Sequence, residues 1–290
     1  MSAPMERITI IGTGLIGSSI GLALRAQGFT GHIAGWDQSP GEAAIAQARG
    51  AVDEVASDAV AAARASDVVL LATPVFAILE WMEKLGPVLG PEQLVTDVGS
   101  TKRLICERAA AQFGGARAAR FLPGHPMAGK EVRGAAEADA TLFRNAVWLF
   151  TPGGAGWGER AMEWRSWVER LGCRTEELDP VRHDDLCAWA SHLPQMVGTA
   201  LAALLEDNFG GSESLRGELR AVGGRAMREM TRLGASPYSM WRDVAHTNTG
   251  PIAATLLALE ERLAHLRASL TQPALREEFD RANRFRRNYY

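Results

Sequence analysis

A glycine-rich turn near the N-terminus constrains this chain more than any other stretch. Ile8 to Ile11 is a short β-branched run, read as a buried strand. It leads into Gly12-Thr13-Gly14-Leu15-Ile16-Gly17, and Ser18 onward reads as an apolar helix. A second strand, Ile33 to Trp36, ends at Asp37, twenty residues past Gly17. Strand, glycine turn, helix, strand and acid in that order form the pattern of a dinucleotide site. Gly12 allows the tight turn, Gly14 lets a pyrophosphate approach the backbone, and Gly17 lets the helix lie close to the strand. The N–H groups of the turn and helix start, Leu15 and Ile16 among them, hold the phosphates at the positive end of the helix dipole. Asp37 accepts hydrogen bonds from ribose hydroxyls. A 2′-phosphate there would meet like charge, and Gln38-Ser39-Pro40-Gly41 offers no arginine to receive one, which favours NAD over NADP. A turn needed only for packing leaves Asp37 unexplained.

The strands that follow fit a doubly wound, mostly parallel sheet of the Rossmann type. Helices are expected at 41–49 and 59–65, then the apolar strand Asp67 to Ala72, of the kind covered on both faces. It ends at Thr73-Pro74, which should lie under the cofactor, because ligands sit at the carboxyl ends of such strands. A helix at 75–85 precedes the strand Leu94 to Val98. Gly99-Ser100-Thr101-Lys102 then starts a helix to about Gln112, with Ser100 or Thr101 available as its cap. After a short strand at 120–122, Pro123 to Glu131 reads as a shaped loop. Strands at 146–151 and 173–178 flank a helix with Trp164, Trp167, Val168 and Leu171 on one face. At Asp179-Pro180, a good cap and first residue, the texture turns helical. Helices are expected at 180–192, 195–207, 214–232, 237–247 and 251–270, with Pro194 dividing the first two and Gly210 to Gly224 partly loop. This places a boundary between domains 1–178 and 179–290. The apolar stretch Met196 to Leu205 is too short to span a bilayer and reads as a core helix. The helices are too few to bury one another well, so a homodimer is expected. The arginine-rich tail from Arg276 reads as a solvated helix or frayed end.

The totals exclude several functions. The chain has 290 residues and a formal charge of −3, with a pI near 6.1. That gives no general attraction to nucleic acid or an anionic membrane. Cys106, Cys173 and Cys187 are widely spaced, with no CxxC pair, and read as reduced, buried small hydrophobes of a cytoplasmic protein. Met1-Ser2-Ala3-Pro4 opens into the first strand with no signal peptide ahead of it.

Two histidines stand out for chemistry. His125 lies between Gly124 and Pro126 at the strand ends, where a neutral imidazole can take a proton from a substrate hydroxyl as hydride leaves the same carbon. Ser100, at another strand end, could orient it. His192, in Ser191-His192-Leu193-Pro194, reads equally as packing or site. His32 reads as structural or exposed, His183 and His265, on helices among charged residues, read as surface, and His246 as either. Arg225, Arg228 and Arg232 fall on one helical face. Such a run is ordinarily solvated, yet a guanidinium can clamp a carboxylate, and Arg232 is the candidate. No spacing of histidines, cysteines and carboxylates forms a metal-ligand pattern.

Taken together, Gly12 to Gly17, Asp97-Val98-Gly99-Ser100-Thr101-Lys102, Gly124-His125-Pro126-Met127-Ala128-Gly129, Ser191-His192-Leu193-Pro194 and Thr231-Arg232 through Met240-Trp241-Arg242-Asp243 resemble the prephenate/arogenate dehydrogenases. The likeness covers nearly the whole chain. It implies a nucleotide-binding domain, an all-helical dimerisation domain and an active site between them. It also implies NAD-dependent oxidative decarboxylation of prephenate or arogenate. By resemblance, His125 is the catalytic histidine, Ser100 its serine partner and Arg232 the carboxylate-binding arginine, with Trp241 and Arg228 at pocket positions. Many relatives carry a second histidine where this chain has Gln195, which cannot become cationic. No domain for chorismate mutase or ligand sensing is visible, although tyrosine could still inhibit at the active site.

Two rivals remain. A β-hydroxyacid or 6-phosphogluconate-type dehydrogenase relies on a lysine in its helical half, and no lysine occurs from residue 179 on. A non-catalytic NAD(H) sensor would need a DNA-binding module, for which neither charge nor length leaves room.

Overall fold

The computed structural model describes residues 4–115, 120–152 and 157–289. The lead-in Met1-Ser2-Ala3 lies outside the described residues.

Six parallel strands form the first sheet: β1 (Arg7–Ile11), β2 (His32–Trp36), β3 (Glu54–Val55), β4 (Val68–Leu71), β5 (Leu94–Asp97) and β6 (Arg120–Leu122). Their spatial order is β3-β2-β1-β4-β5-β6, the doubly wound order that reverses beside β1. Period-two alternation divides their side chains between two cores. Ile8, Ile10, Val68 and Leu70 face one cluster, while Ile11, Val69, Leu71 and Val95 face the other. Helices α1 (Leu15–Ala26), α2 (Pro40–Ala48), α3 (Ala59–Arg64), α4 (Val75–Leu85) and α5 (Arg103–Phe113) cover the two faces. The turn between β1 and α1 depends on its glycines. Gly12 has φ +97°, and a side chain there would strike the Ala72 carbonyl. A Cβ on Gly17 would lie 2.0 Å from the Gly12 oxygen.

The expected single sheet divides in two. The chain leaves β6 at Pro123 and enters β7 (Gly124–Pro126), so His125 sits on a strand and not in a loop. This strand pairs antiparallel with β8 (Val147–Phe150), which pairs parallel with β9 (Arg174–Glu177). Gly124 makes the crossing possible: a Cβ there would lie 2.7 Å from the Trp148 indole nitrogen and 2.8 Å from the Asp97 carbonyl. Helix α6 (Glu159–Arg170) brings Trp164 and Val168 onto Trp148 and Phe150 and joins the small sheet to the first core.

In the back half, α7 (Pro180–Cys187), a π-helical turn (Ala188–His192) and α8 (Leu193–Phe209) run on without a break. Pro194 therefore does not divide two helices. Its ring and missing N–H are accommodated by the widened turn before it. Helices α9 (Glu213–Val222) and α10 (Arg225–Thr231) part at Gly223-Gly224, and a 3₁₀ turn (Arg232–Ala235) leads to α11 (Tyr238–Thr247). Arg232 therefore begins a new turn, and the expected three-arginine face does not continue to it. Helices α12 (Thr249–Ala268) and α13 (Ala274–Tyr289) complete the described chain, so the arginine-rich tail is helical. In α8 only Gln195 and Gly198 are buried, so Met196 to Leu205 is not a core helix within one chain. Among the described residues no helix is long and apolar enough to cross a membrane.

Candidate active site

A cavity of about 590 Å³ lies at the carboxyl ends of β1, β4 and β5, roofed by the back half. It gathers Gly14, Leu15, Ile16, Thr73, Pro74, Ser100 and His125 with His192, Gln195 and Trp241. Arg228 and Arg232 do not line it. Arg232 instead forms an ion pair with Glu131, which does. A Cβ on Gly14 would meet nothing within 4 Å, so the turn opens onto free space beside the start of α1. Asp37 accepts from the Thr13 N–H at 2.8 Å and the Ser39 N–H at 2.9 Å, holding the glycine turn to the end of β2.

The state of His125 follows from a chain of hydrogen bonds that can be polarised in only one direction. Asp184 is an acceptor: its Oδ1 takes the Lys102 N–H at 2.7 Å and its Oδ2 the Arg103 N–H at 3.0 Å. His183 Nδ1, 2.8 Å from the same Oδ1, must therefore carry a proton. That leaves His183 Nε2 as an acceptor, and it takes the Nδ1–H of His125 at 2.9 Å. The unprotonated nitrogen of His125 is then Nε2, which has no hydrogen-bond partner among the described residues. Burial, and next the neighbouring His183 and Lys102, hold the His125 pKa well below the ordinary value. The group is a neutral base with its tautomer assigned by the network.

His183, expected at the surface, is fully buried. The signal available was the small buried pair Cys187-Ala188 one helical turn on, which marks that face of α7 as inward. The orienting partner of His125 is thus His183, while Ser100 lines the same cavity without a hydrogen bond to it among the described residues. The cap of α5 is likewise neither Ser100 nor Thr101. Lys102 occupies the cap position without a side-chain bond, and Asp184 binds the helix's first N–H groups from α7.

The other buried imidazole has the opposite polarity. Asn248 Nδ2 donates to the Asp184 carbonyl at 2.8 Å, which fixes its amide, and lies 3.2 Å from His192 Nδ1. His192 Nδ1 is then an acceptor and its Nε2 carries the proton. Burial pushes its pKa down to about 4. Trp241 packs edge-on against it at 5.8 Å, with its own buried indole N–H unpartnered. Gln195 is committed locally: its amide donates to the Leu233 carbonyl at 2.6 Å and Thr199 Oγ1 at 3.1 Å, and accepts from Ser236 at 3.0 Å.

His125, His183 and Cys187 bring three ligand-type atoms within 4.8 Å of one another. Cys187 Sγ lies 3.6 and 3.9 Å from the two nitrogens of His183. Near-equal distances put sulfur over the ring face, away from the in-plane lone pair a metal needs. Burial also raises the Cys187 thiol to about 12. This geometry suits packing.

A doubly wound nucleotide-type domain and a helical half, with a neutral imidazole in the cavity between them, define a two-domain dinucleotide-binding class. Within that class the chain belongs to the prephenate dehydrogenase family. Residues 20–176 match its nucleotide-binding domain and residues 179–282 its dimerization domain. The chain is 34% identical over 245 residues to the prephenate dehydrogenase of Lactococcus lactis subsp. cremoris, covering 84% of this chain and 65% of that relative. It thus spans a little under two thirds of that relative's length. Prephenate dehydrogenase from A. aeolicus in complex with hydroxyphenyl propionate and NAD+ superposes with TM-score 0.86, at 28% identity, over 100% of this chain and 99% of the other. Synechocystis arogenate dehydrogenase superposes with TM-score 0.77, at 29% identity, over 98% and 100%.

Proposed function

We propose that this protein catalyses the NAD-dependent oxidative decarboxylation of prephenate or arogenate. The observation that carries this reading is His125: a buried, neutral imidazole with a free Nε2, in the cavity that the glycine turn also lines. The turn fits NAD, since Gly14 leaves open space beside the helix start and Asp37 stands at the end of β2 without an arginine beside it. Gly12, Gly17, Thr73 and Pro74 complete the cofactor's share of the site, with the domain boundary near residue 178.

Bound NAD supplies the hydride acceptor. His125 Nε2 takes the proton of the ring hydroxyl as that carbon loses hydride. The ring's carbon–carboxylate bond then breaks, carbon dioxide leaves, and the bonding electrons make the ring aromatic. The oxygen recovers its proton from His125, so the base is regenerated. Aromatisation supplies most of the driving force, and the protein contributes orientation and a tuned base. Arg232 leaves Glu131 to bind a substrate carboxylate, with Arg228 nearby in sequence. Ser100, His192, Gln195 and Trp241 shape the remaining pocket, the last through its unpartnered indole N–H. A phenol with an amino-acid side chain resembles the product, so tyrosine is a candidate inhibitor of the same cavity. The three free thiols suit the cytoplasm, and the exposed apolar helices of the back half suit a homodimer.

The test is absorbance at 340 nm with NAD and either substrate. Wild type should form NADH with at least one of them, and His125→Asn should lose it roughly 10²-fold or more. Cofactor binding without turnover of either acid would sink the reading in favour of a sensor.

A further inference from the structure

The mechanism leaves unused a fully buried ion pair beside the base. Lys102 Nζ bonds Asp97 Oδ2, and both side chains are wholly buried. The pair grips one peptide group on each side. Lys102 Nζ donates to the Gly124 carbonyl at 2.6 Å, and Asp97 Oδ1 accepts the Gly124 N–H at 3.1 Å. Asp97 Oδ2 also takes the Gly99 N–H at 2.7 Å, next to Ser100. The Gly124 carbonyl belongs to the peptide bond that leads into His125. The backbone N–H of Lys102 is bonded to Asp184, and Asp184 in turn holds His183. Both imidazoles of the relay therefore hang on residue 102.

A pair this deep is not explained by stability. Removing two charges from water costs more than a well-packed apolar pair would, so a buried ion pair is weak support for the fold alone. Its value lies in geometry and field. We propose that Asp97 and Lys102 are positioning residues for the reaction: they fix the His125 ring against the substrate, and their charges set the pH at which it works. This inference rests on the reading of His125 as the base. Lys102 disfavours a positive charge on His125, and Asp97 favours one on His183, the ring bonded to it. The other charged or titratable groups around the imidazole are His183, Asp184 and Cys187 of α7, His192 of the π turn, and Lys130 and Glu131 of the cavity lining, the latter paired with Arg232 outside it.

The experiment compares pH profiles of kcat and KM for wild type, Lys102→Met, Asp97→Asn and the double variant. NAD binding is measured on each to certify a folded nucleotide domain. Lys102→Met should lower kcat at least tenfold with KM changed less than threefold, and move the acidic limb to higher pH. Asp97→Asn should move that limb to lower pH. The double variant should restore the limb towards wild type without restoring kcat. Limbs that coincide in all four folded proteins would overturn the proposal, as would a KM that rises in step with the loss of kcat. If Lys102→Met fails to bind NAD, Asp97→Asn and the double variant decide by the same criterion. A wild type inactive on both acids would instead remove the underlying reading of His125.

Discussion

At the scale of single residues, the proposed chemistry depends on the proton count along Asp184, His183 and His125. The carboxylate accepts, so each imidazole passes its donor toward it and presents a bare nitrogen to the next group. Replacing His183 with leucine removes the acceptor for His125 Nδ1–H and frees the ring to take the wrong tautomer. We expect kcat to fall roughly 10²-fold with KM nearly unchanged, measured at 340 nm. The pH dependence has a definite sign. As the proposed base, His125 must be neutral to act, and its pKa is lowered. Activity should therefore stay flat as pH falls through 6.5, the ordinary histidine value, and decline only at more acidic pH. His125 was legible from its Gly-His-Pro setting, because such a residue at a strand end has few purely structural uses. His183 was not, because Arg182, Asp184 and Asp185 around it mimic a solvated face. Charged neighbours say nothing of burial when one of them, Asp184, is itself spent on a helix end.

At the scale of elements, α5 and α7 are joined by that use of Asp184. A helix normally finds its cap in the residue before it. Here the first N–H groups of α5 are bound by a carboxylate some eighty residues later in the chain. Asp184→Ala would leave those groups unsatisfied and buried, and would release His183. We expect a loss of about 2–3 kcal/mol in denaturant unfolding, together with reduced kcat. Asp184→Asn should recover part of the stability but not the activity, because an amide can turn its NH₂ toward His183. The strands and helices of the front half were readable from apolar runs and glycine stops, which are local signals. The separate second sheet was not, since β7 is three residues long and its partner is set by the approach of Trp148 to Gly124. The unbroken passage from α7 to α8 was also hidden. Proline ordinarily ends a helix, and only a π turn immediately before it lets the axis continue.

At the scale of the whole molecule, two consequences follow from where polar and apolar groups end up. Three imidazoles are buried between the halves, all with lowered pKa. In the unfolded chain they protonate near pH 6.5, while in the folded chain they stay neutral. Stability is thus full above that value and is lost as pH falls towards 4, the folded value of His192, which alone accounts for about 3 kcal/mol. Thermal unfolding at pH 5 should begin well below that at pH 7.5, and His192→Gln should flatten the difference. The second consequence concerns assembly. Leu204, Val222, Leu257, Leu263 and Phe285 are all more than half exposed on the back half, whereas among the described residues of the front half no large apolar side chain is more than half exposed. The sequence already hinted at this, since the leucines of α12 recur at helical spacing with too few partner helices to cover them. Which of them face outward depends on packing among α8, α11 and α12, which no local pattern records. A stable homodimer needs roughly 1,200–2,000 Å² of buried surface, and an apolar helical face is the usual source. The chain should therefore sediment at twice its 31.2 kDa at micromolar concentration. Its melting temperature should rise with protein concentration, because dissociation is coupled to unfolding. A concentration-independent melt with monomer sedimentation would mean that those leucines face water in the working protein.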